Sequence, residues 1–177
     1  VPAMAPGTEA SSLAMPGWRE PAYLAESPAG QRGRLETVEF TSALRPGAKQ
    51  TLHVYLPFGY DDTTDRYPAA YVLDGDMARA QGLTPRSLDH LMPSQVAPAL
   101  VVFHGTTEWG AVKPASDPMP LEMDMLVTEI VPLIDARFRT RAEPGGRAII
   151  GHLWLGIAAT HLAFHESGLF GALGLQS

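Results

Sequence analysis

The sequence predicts an α/β fold: a mostly parallel sheet entered through an N-terminal antiparallel hairpin. Three observations predict it. Gln50-Thr-Leu-His-Val-Tyr-Leu56 alternates apolar and polar residues, as a half-exposed strand does. Tyr67–Leu73 and Ala97–Phe103 are short, continuously apolar runs, as expected of strands buried on both faces of a parallel sheet. Between Met119 and Phe138, apolar residues Met123, Leu126, Val127, Ile130, Leu133 and Ile134 recur at helical spacing.

Composition sets the bounds. The chain has 177 residues, 45% hydrophobic and 18% charged, which suits one ordinary domain with a real core. The formal net charge of -6 repels phosphate backbones and argues against a nucleic-acid partner. No apolar run has the length of a membrane span. The chain has no cysteine, which excludes disulfides, thiolate catalysis and Cys-ligated metals. Val1-Pro-Ala-Met-Ala-Pro6 lacks the pattern of a signal peptide. The compartment stays open, cytoplasmic or exported.

Residues 1–33 are rich in Pro, Gly, Ala and Ser and read as an irregular N-terminal extension, with Trp18 and Tyr23 as its expected anchors. From residue 34 to 177 the pattern is that of a domain. Leu35–Thr41 and Gln50–Leu56 form a hairpin around the turn residues Arg45-Pro-Gly-Ala-Lys49. Pro132 implies a kink or break in the helix at 119–138. Arg147–Ile150 is another buried strand, Gly156–His165 a helix, and Gly171–Ser177 the start of one more strand. Right-handed crossovers place helices on both faces of such a sheet. Its active crevice lies beyond the carboxyl ends of the strands, after Leu73, Phe103, Ile150 and Gln176.

Five stretches, in order, carry a family likeness: Val54-Tyr-Leu-Pro-Phe-Gly-Tyr-Asp61, Tyr67-Pro-Ala-Ala-Tyr-Val-Leu-Asp-Gly75, Thr128–Thr140, Arg147-Ala-Ile-Ile-Gly-His152 and Gly168–Ser177. From about Gly33 onward the chain resembles the putative esterase family of α/β-hydrolases, which includes enterochelin esterases and esterase D-like enzymes. The resemblance covers the N-terminal part of such a domain. It implies an α/β-hydrolase-like sheet that is incomplete at its C-terminal end, hydrolysis of carboxylic esters, and no cofactor or metal.

The family's elbow is G-x-S-x-G, a sharp strand-to-helix turn that lifts a serine oxygen into the crevice. By resemblance Gly151 holds the first glycine position, His152 the next and Leu153 the nucleophile position. Trp154 follows, Leu155 stands at the second glycine position, and Gly156 matches a further glycine of the family. The resemblance also makes the backbone N–H groups of Trp154 and Asp76 the oxyanion donors. Leucine has no nucleophilic atom, and acyl-enzyme chemistry needs one at this place. No serine lies between Ser116 and Ser167, so no shift of register supplies it. Leu155 is expected to crowd the turn. In the family the acid and the histidine follow later strands, positions that this sequence does not reach. The expectation is a protein with little or no serine-esterase activity.

Two other readings stand beside this one. The first is a non-catalytic binding or assembly protein on a hydrolase scaffold. It is motivated by the apolar run Leu153-Trp-Leu155 and would hold an acyl or aromatic ligand, a second copy, or a partner chain over the open sheet edge. The second is a His-based metal enzyme resting on His161 and His165, four apart on a helix, though H-E-x-x-H is absent. A structural role for His165 at the helix end is the stronger alternative. Asp74 and Asp76 around one glycine fall short of a calcium loop. His104 is at best a crevice-lining residue, His53 faces outward, His90 sits in a connection, and Glu108 and Trp109 follow a strand end.

Overall fold

The computed structural model describes residues 15–19, 21–92, 94–105 and 119–176. The hairpin is β1 (Arg34–Thr41) and β2 (Lys49–Leu56), antiparallel, with Val38 opposite Leu52. Then come β3 (Ala69–Leu73), α1 (Gly75–Ala80), α2 (Thr84–Leu91) and β4 (Leu100–His104). A composite helix follows: α3 (Met119–Met125), one π-helical stretch (Leu126–Ile130) and α4 (Val131–Arg137). The chain continues through β5 (Arg147–His152), α5 (Trp154–His165) and β6 (Ala172–Gln176).

The strands form one sheet in the order β1-β2-β4-β3-β5-β6. β2 pairs with β4 antiparallel, while the β4-β3-β5-β6 half is parallel. This is the mixed, open α/β sheet that the patterning predicts. Its parallel half directs four carboxyl ends to the same side, and the loops after β3 and β5 become neighbours there.

The four inner strands serve two cores because successive side chains alternate. On one face Val54, Tyr71, Val102 and Ile149 pack with Met125, Leu126, Ile130 and Ile134 of the composite helix and Ala158 and Leu162 of α5. On the other, Tyr55, Val72, Val101 and Phe103 pack with Ala78 of α1 and Leu88 of α2. The break expected at Pro132 takes the form of the π-helical stretch just before it. Pro132 lies in the first turn of α4, where its missing N–H costs no helical bond. The composite helix keeps its buried stripe through the π-helical stretch, with Leu126, Ile130, Val131 and Ile134 all buried.

Three expectations change. Trp18 and Tyr23 are exposed rather than anchoring. The stretch before β1 is held by polar contacts to α2 instead: Gly33 N–H donates to Asp89 Oδ1 at 2.8 Å, and Arg86 bonds Glu26. His90 belongs to α2, not to a connection, and meets the Ala25 carbonyl at 3.0 Å. His53 is half-buried, with Nδ1 3.3 Å from Thr37 Oγ1. Glu108 and Trp109 lie outside the described residues.

His104 departs furthest from its sequence reading. It ends β4 on the face of the composite helix, buried, not lining the crevice. Among the described residues neither ring nitrogen has a hydrogen-bond partner, and Nε2 lies 3.8 Å from Glu122 Oε2. Burial first and then the Arg45 charge lower its pKa, Asp76 opposes them, and the result is about 4. At neutral pH this contact is therefore not an ion pair; the charge on Glu122 is met by Arg45. The folded pKa lies below the unfolded value of about 6.5, so the unfolded chain takes the proton first. Stability is full above the unfolded pKa and falls as pH drops toward 4. The expected loss is about 3 kcal/mol in total, read as a falling urea midpoint. His104→Leu should flatten that slope; an unchanged slope would refute this account.

Candidate active site

The site begins with β5, the strand that leads into the turn. Arg147 at its start is buried and bonds Asp135 of α4. At its other end, Gly151 allows α5 to cross closely. A Cβ there would stand 2.2 Å from the Leu155 carbonyl oxygen and 2.8 Å from the Ala159 side chain. The chain then reverses within one residue, Leu153, whose φ is 48° and ψ -120°. That combination is one L side chains rarely adopt. Trp154 opens α5, and the Gly156 N–H bonds back to the Leu153 carbonyl at 2.9 Å. The Leu153 N–H donates to the Gln176 carbonyl at 3.0 Å and ties the turn to β6.

This is a strained strand-turn-helix elbow with its tip outward. Leu153 is 60% exposed at the tip. An apolar side chain there gains little burial to offset the strain. Leu155 does not crowd the turn: its side chain enters the core beside Ala158 and Ala159, where a glycine would leave space. Replacing Leu153 by glycine should therefore stabilise the fold. Relief of about 1–3 kcal/mol of strain exceeds the added backbone entropy of about 0.4–1 kcal/mol. The expected net gain of about 1 kcal/mol is measurable as a raised urea midpoint, and a lowered one would contradict it.

Beside the elbow lies an open cleft of about 370 Å³, a size suited to a small organic ligand. Val72, Met77, Ala78 and Ile150 give it an apolar floor; Asp74, Gln81, Thr84, His152 and Gln176 give it polar walls. It runs across the carboxyl ends of β3, β5 and β6. Asp74 follows β3 with φ 60° and ψ 41°, and α1 starts at the next residue. Gly75 permits this, since a Cβ would stand 2.5 Å from the His104 backbone nitrogen. Burial raises the Asp74 carboxyl above its ordinary pKa; nearby His152 opposes that and Asp76 adds to it. Asp76 lies in the first turn of α1 and pairs with Arg79 at 3.4 Å.

The structure thus brings Gly151, His152, Leu153, Trp154, Leu155 and Gly156 into one elbow and puts Asp74, Gly75 and Asp76 on the adjoining strand end. The cleft walls from α1 and α2, Gln81 and Thr84, were not foreseen. Pro85 in the first turn of α2 was the sequence signal for that helix. His161 and His165 stand apart from the cleft on exposed α5, their rings stacked at 4.0 Å. Among the described residues no group of three His, Asp or Glu side chains is gathered for a metal ion. No described helix is long and apolar enough to cross a membrane.

Known proteins share this fold. An endo-1,4-beta-xylanase/feruloyl esterase of Xylanibacter ruminicola is 29% identical over 160 residues, covering 82% of this chain and 22% of that protein. The CE1 ferulic acid esterase of Anaeromyces mucronatus superposes with a TM-score of 0.70 at 17% identity, over 86% of this chain and 62% of that one. The enterobactin esterase of Shigella flexneri superposes with a TM-score of 0.64 at 17% identity, over 86% of this chain and 38% of that one. The two solved structures share the fold. The chain spans less than two thirds of the length of each of these three relatives. The family model described as "Putative esterase" matches residues 43–177, and the chain belongs to that family.

Proposed function

We propose that the chain is the elbow-bearing part of a carboxylic-ester hydrolase scaffold whose acyl chemistry is silenced at Leu153. One observation carries this reading: a residue with no nucleophilic atom holds the strained tip of the elbow, at φ 48° and ψ -120°. The surrounding parts fit the esterase plan. In this reading the N–H groups of Trp154 and Asp76 are the oxyanion donors, each in the first turn of a helix. No cofactor enters the reaction.

The names of two relatives suggest the ligand class: feruloyl and ferulic acid esterases are named for esters of the feruloyl group, an aromatic acyl group. The apolar floor and polar walls of the cleft suit such an acyl group. The expected result is no burst and no turnover above buffer with short-chain nitrophenyl esters. A stoichiometric burst would overturn the proposal.

A second reading is favoured by the exposed apolar surface around the elbow. Leu153, Trp154, Ile157 and Leu175 are all at least 60% exposed. Among the described residues β6 pairs only with β5, and it is largely exposed along its length. A scaffold kept for binding would use this surface for an aromatic or acyl ligand, or for a chain that covers the β6 edge. Titration with ferulate, followed by Trp fluorescence, tests the ligand arm. Saturable quenching abolished by Trp154→Ala supports it; an unchanged signal in wild type removes it.

A further inference from the structure

α5 carries a feature that the elbow does not use. His161 and His165 lie one turn apart, both exposed, with ring centroids 4.0 Å apart and planes within 23°. Side chains at this spacing share one helix face. No hydrogen bond occupies either ring among the described residues, and no cysteine elsewhere in the chain competes for a metal. The pair also sits in the C-terminal part of a twelve-residue helix, where the backbone dipole favours a cation. Glu166 follows at once and is exposed, so this end of the helix gains a further negative charge.

We propose that His161 and His165 form a two-imidazole site for a borderline divalent transition ion, completed by water. Imidazole nitrogens select copper, nickel and zinc over calcium or magnesium, which prefer oxygen ligands. The expected affinity order is Cu2+ above Ni2+ and Zn2+. The geometry requires only that the two rings turn from stacked to convergent, a change of side-chain torsions on an exposed surface. Once one imidazole holds the ion, the second binds intramolecularly, at an effective concentration set by one helical turn. The site is a chelate, not a catalytic centre: catalytic zinc sites use three protein ligands. It is independent of the acyl reading, because neither histidine lines the cleft.

The test is a titration of the whole chain with Cu2+ alone, followed by calorimetry and by paramagnetic resonance. The expected result is one ion bound with two equatorial imidazole nitrogens. His161→Gln and His165→Gln should each weaken binding by about tenfold or more, because either change removes the chelate. His53→Gln and His90→Gln should leave it unchanged. Binding equal in wild type and either α5 variant would overturn the proposal, as would the absence of binding. The wild-type resonance keeps the test decisive if a variant folds poorly: a spectrum without two imidazole nitrogens is itself a refutation. Competition by excess Mg2+ should have no effect, and displacement by it would also refute the site.

Discussion

A fluorophosphonate probe is expected to leave this protein unlabelled, and the reason lies in one side chain rather than in a collapsed site. The elbow holds Leu153 at φ 48° and ψ -120° and presents it to solvent. Trp154 begins a helix at the next residue. Leu153 stands at the tip of that turn, and its side chain is a hydrocarbon with no atom that can attack. Removing the nucleophile of a well-studied serine hydrolase costs on the order of 10⁶ in kcat, because nothing else supplies the covalent step. The measurement is mass spectrometry after probe treatment, and wild type should match buffer. A labelled wild-type peptide covering residues 147–165 would sink this account.

How much of this was legible beforehand depends on what each residue must satisfy. The hairpin and the buried strands were legible because alternation and continuous apolar runs are local signals. The elbow was legible because Gly151 and Gly156 bracket a turn that only a few sequences tolerate, even with leucine at its tip. Leu155 was misread as an obstacle. Sequence spacing shows that a glycine is missing, but not that a core pocket waits beside Ala158 and Ala159 for the side chain. His104 was misread for a related reason: a histidine after a strand suggests a crevice, while the fold turns it to the helix-covered face. Burial of a polar side chain depends on which face the register selects, and one residue of register reverses it. α2 was missed because Leu83 enters it through φ 50°, where a side chain gives no capping signal. The exposure of Trp18 and Tyr23 shows that aromatic residues in a Pro-rich arm need not anchor it.

The largest expected loss of stability lies beneath the elbow, where β5 starts. Arg147 is 7% exposed, and its guanidinium bonds the Asp135 carboxylate of α4. The other oxygen of Asp135 accepts from Thr140 Oγ1 at 2.6 Å, and Arg147 also reaches the Leu169 carbonyl at 3.4 Å. One carboxylate thus joins the composite helix, the chain between helix and sheet, and the strand that carries Gly151. Asp135→Ala would strand a buried guanidinium without its counter-charge. Such a loss costs about 3–5 kcal/mol, because the desolvation of the remaining ion is no longer offset. The single variant should therefore show a much lower urea midpoint. Asp135→Ala combined with Arg147→Met removes the uncompensated charge as well, so the double variant should recover most of the loss. If the double variant were as unstable as the single, the pair would matter for its shape and hydrogen bonds to Thr140 and Leu169, not for charge. Recovery would show instead that the ion pair sets the position of β5 without adding net stability, which is the usual balance for charges taken out of water. The elbow would then inherit its place from a contact whose value lies in registry: Asp135 fixes where β5 begins, and Gly151 and Leu153 follow four and six residues after Arg147.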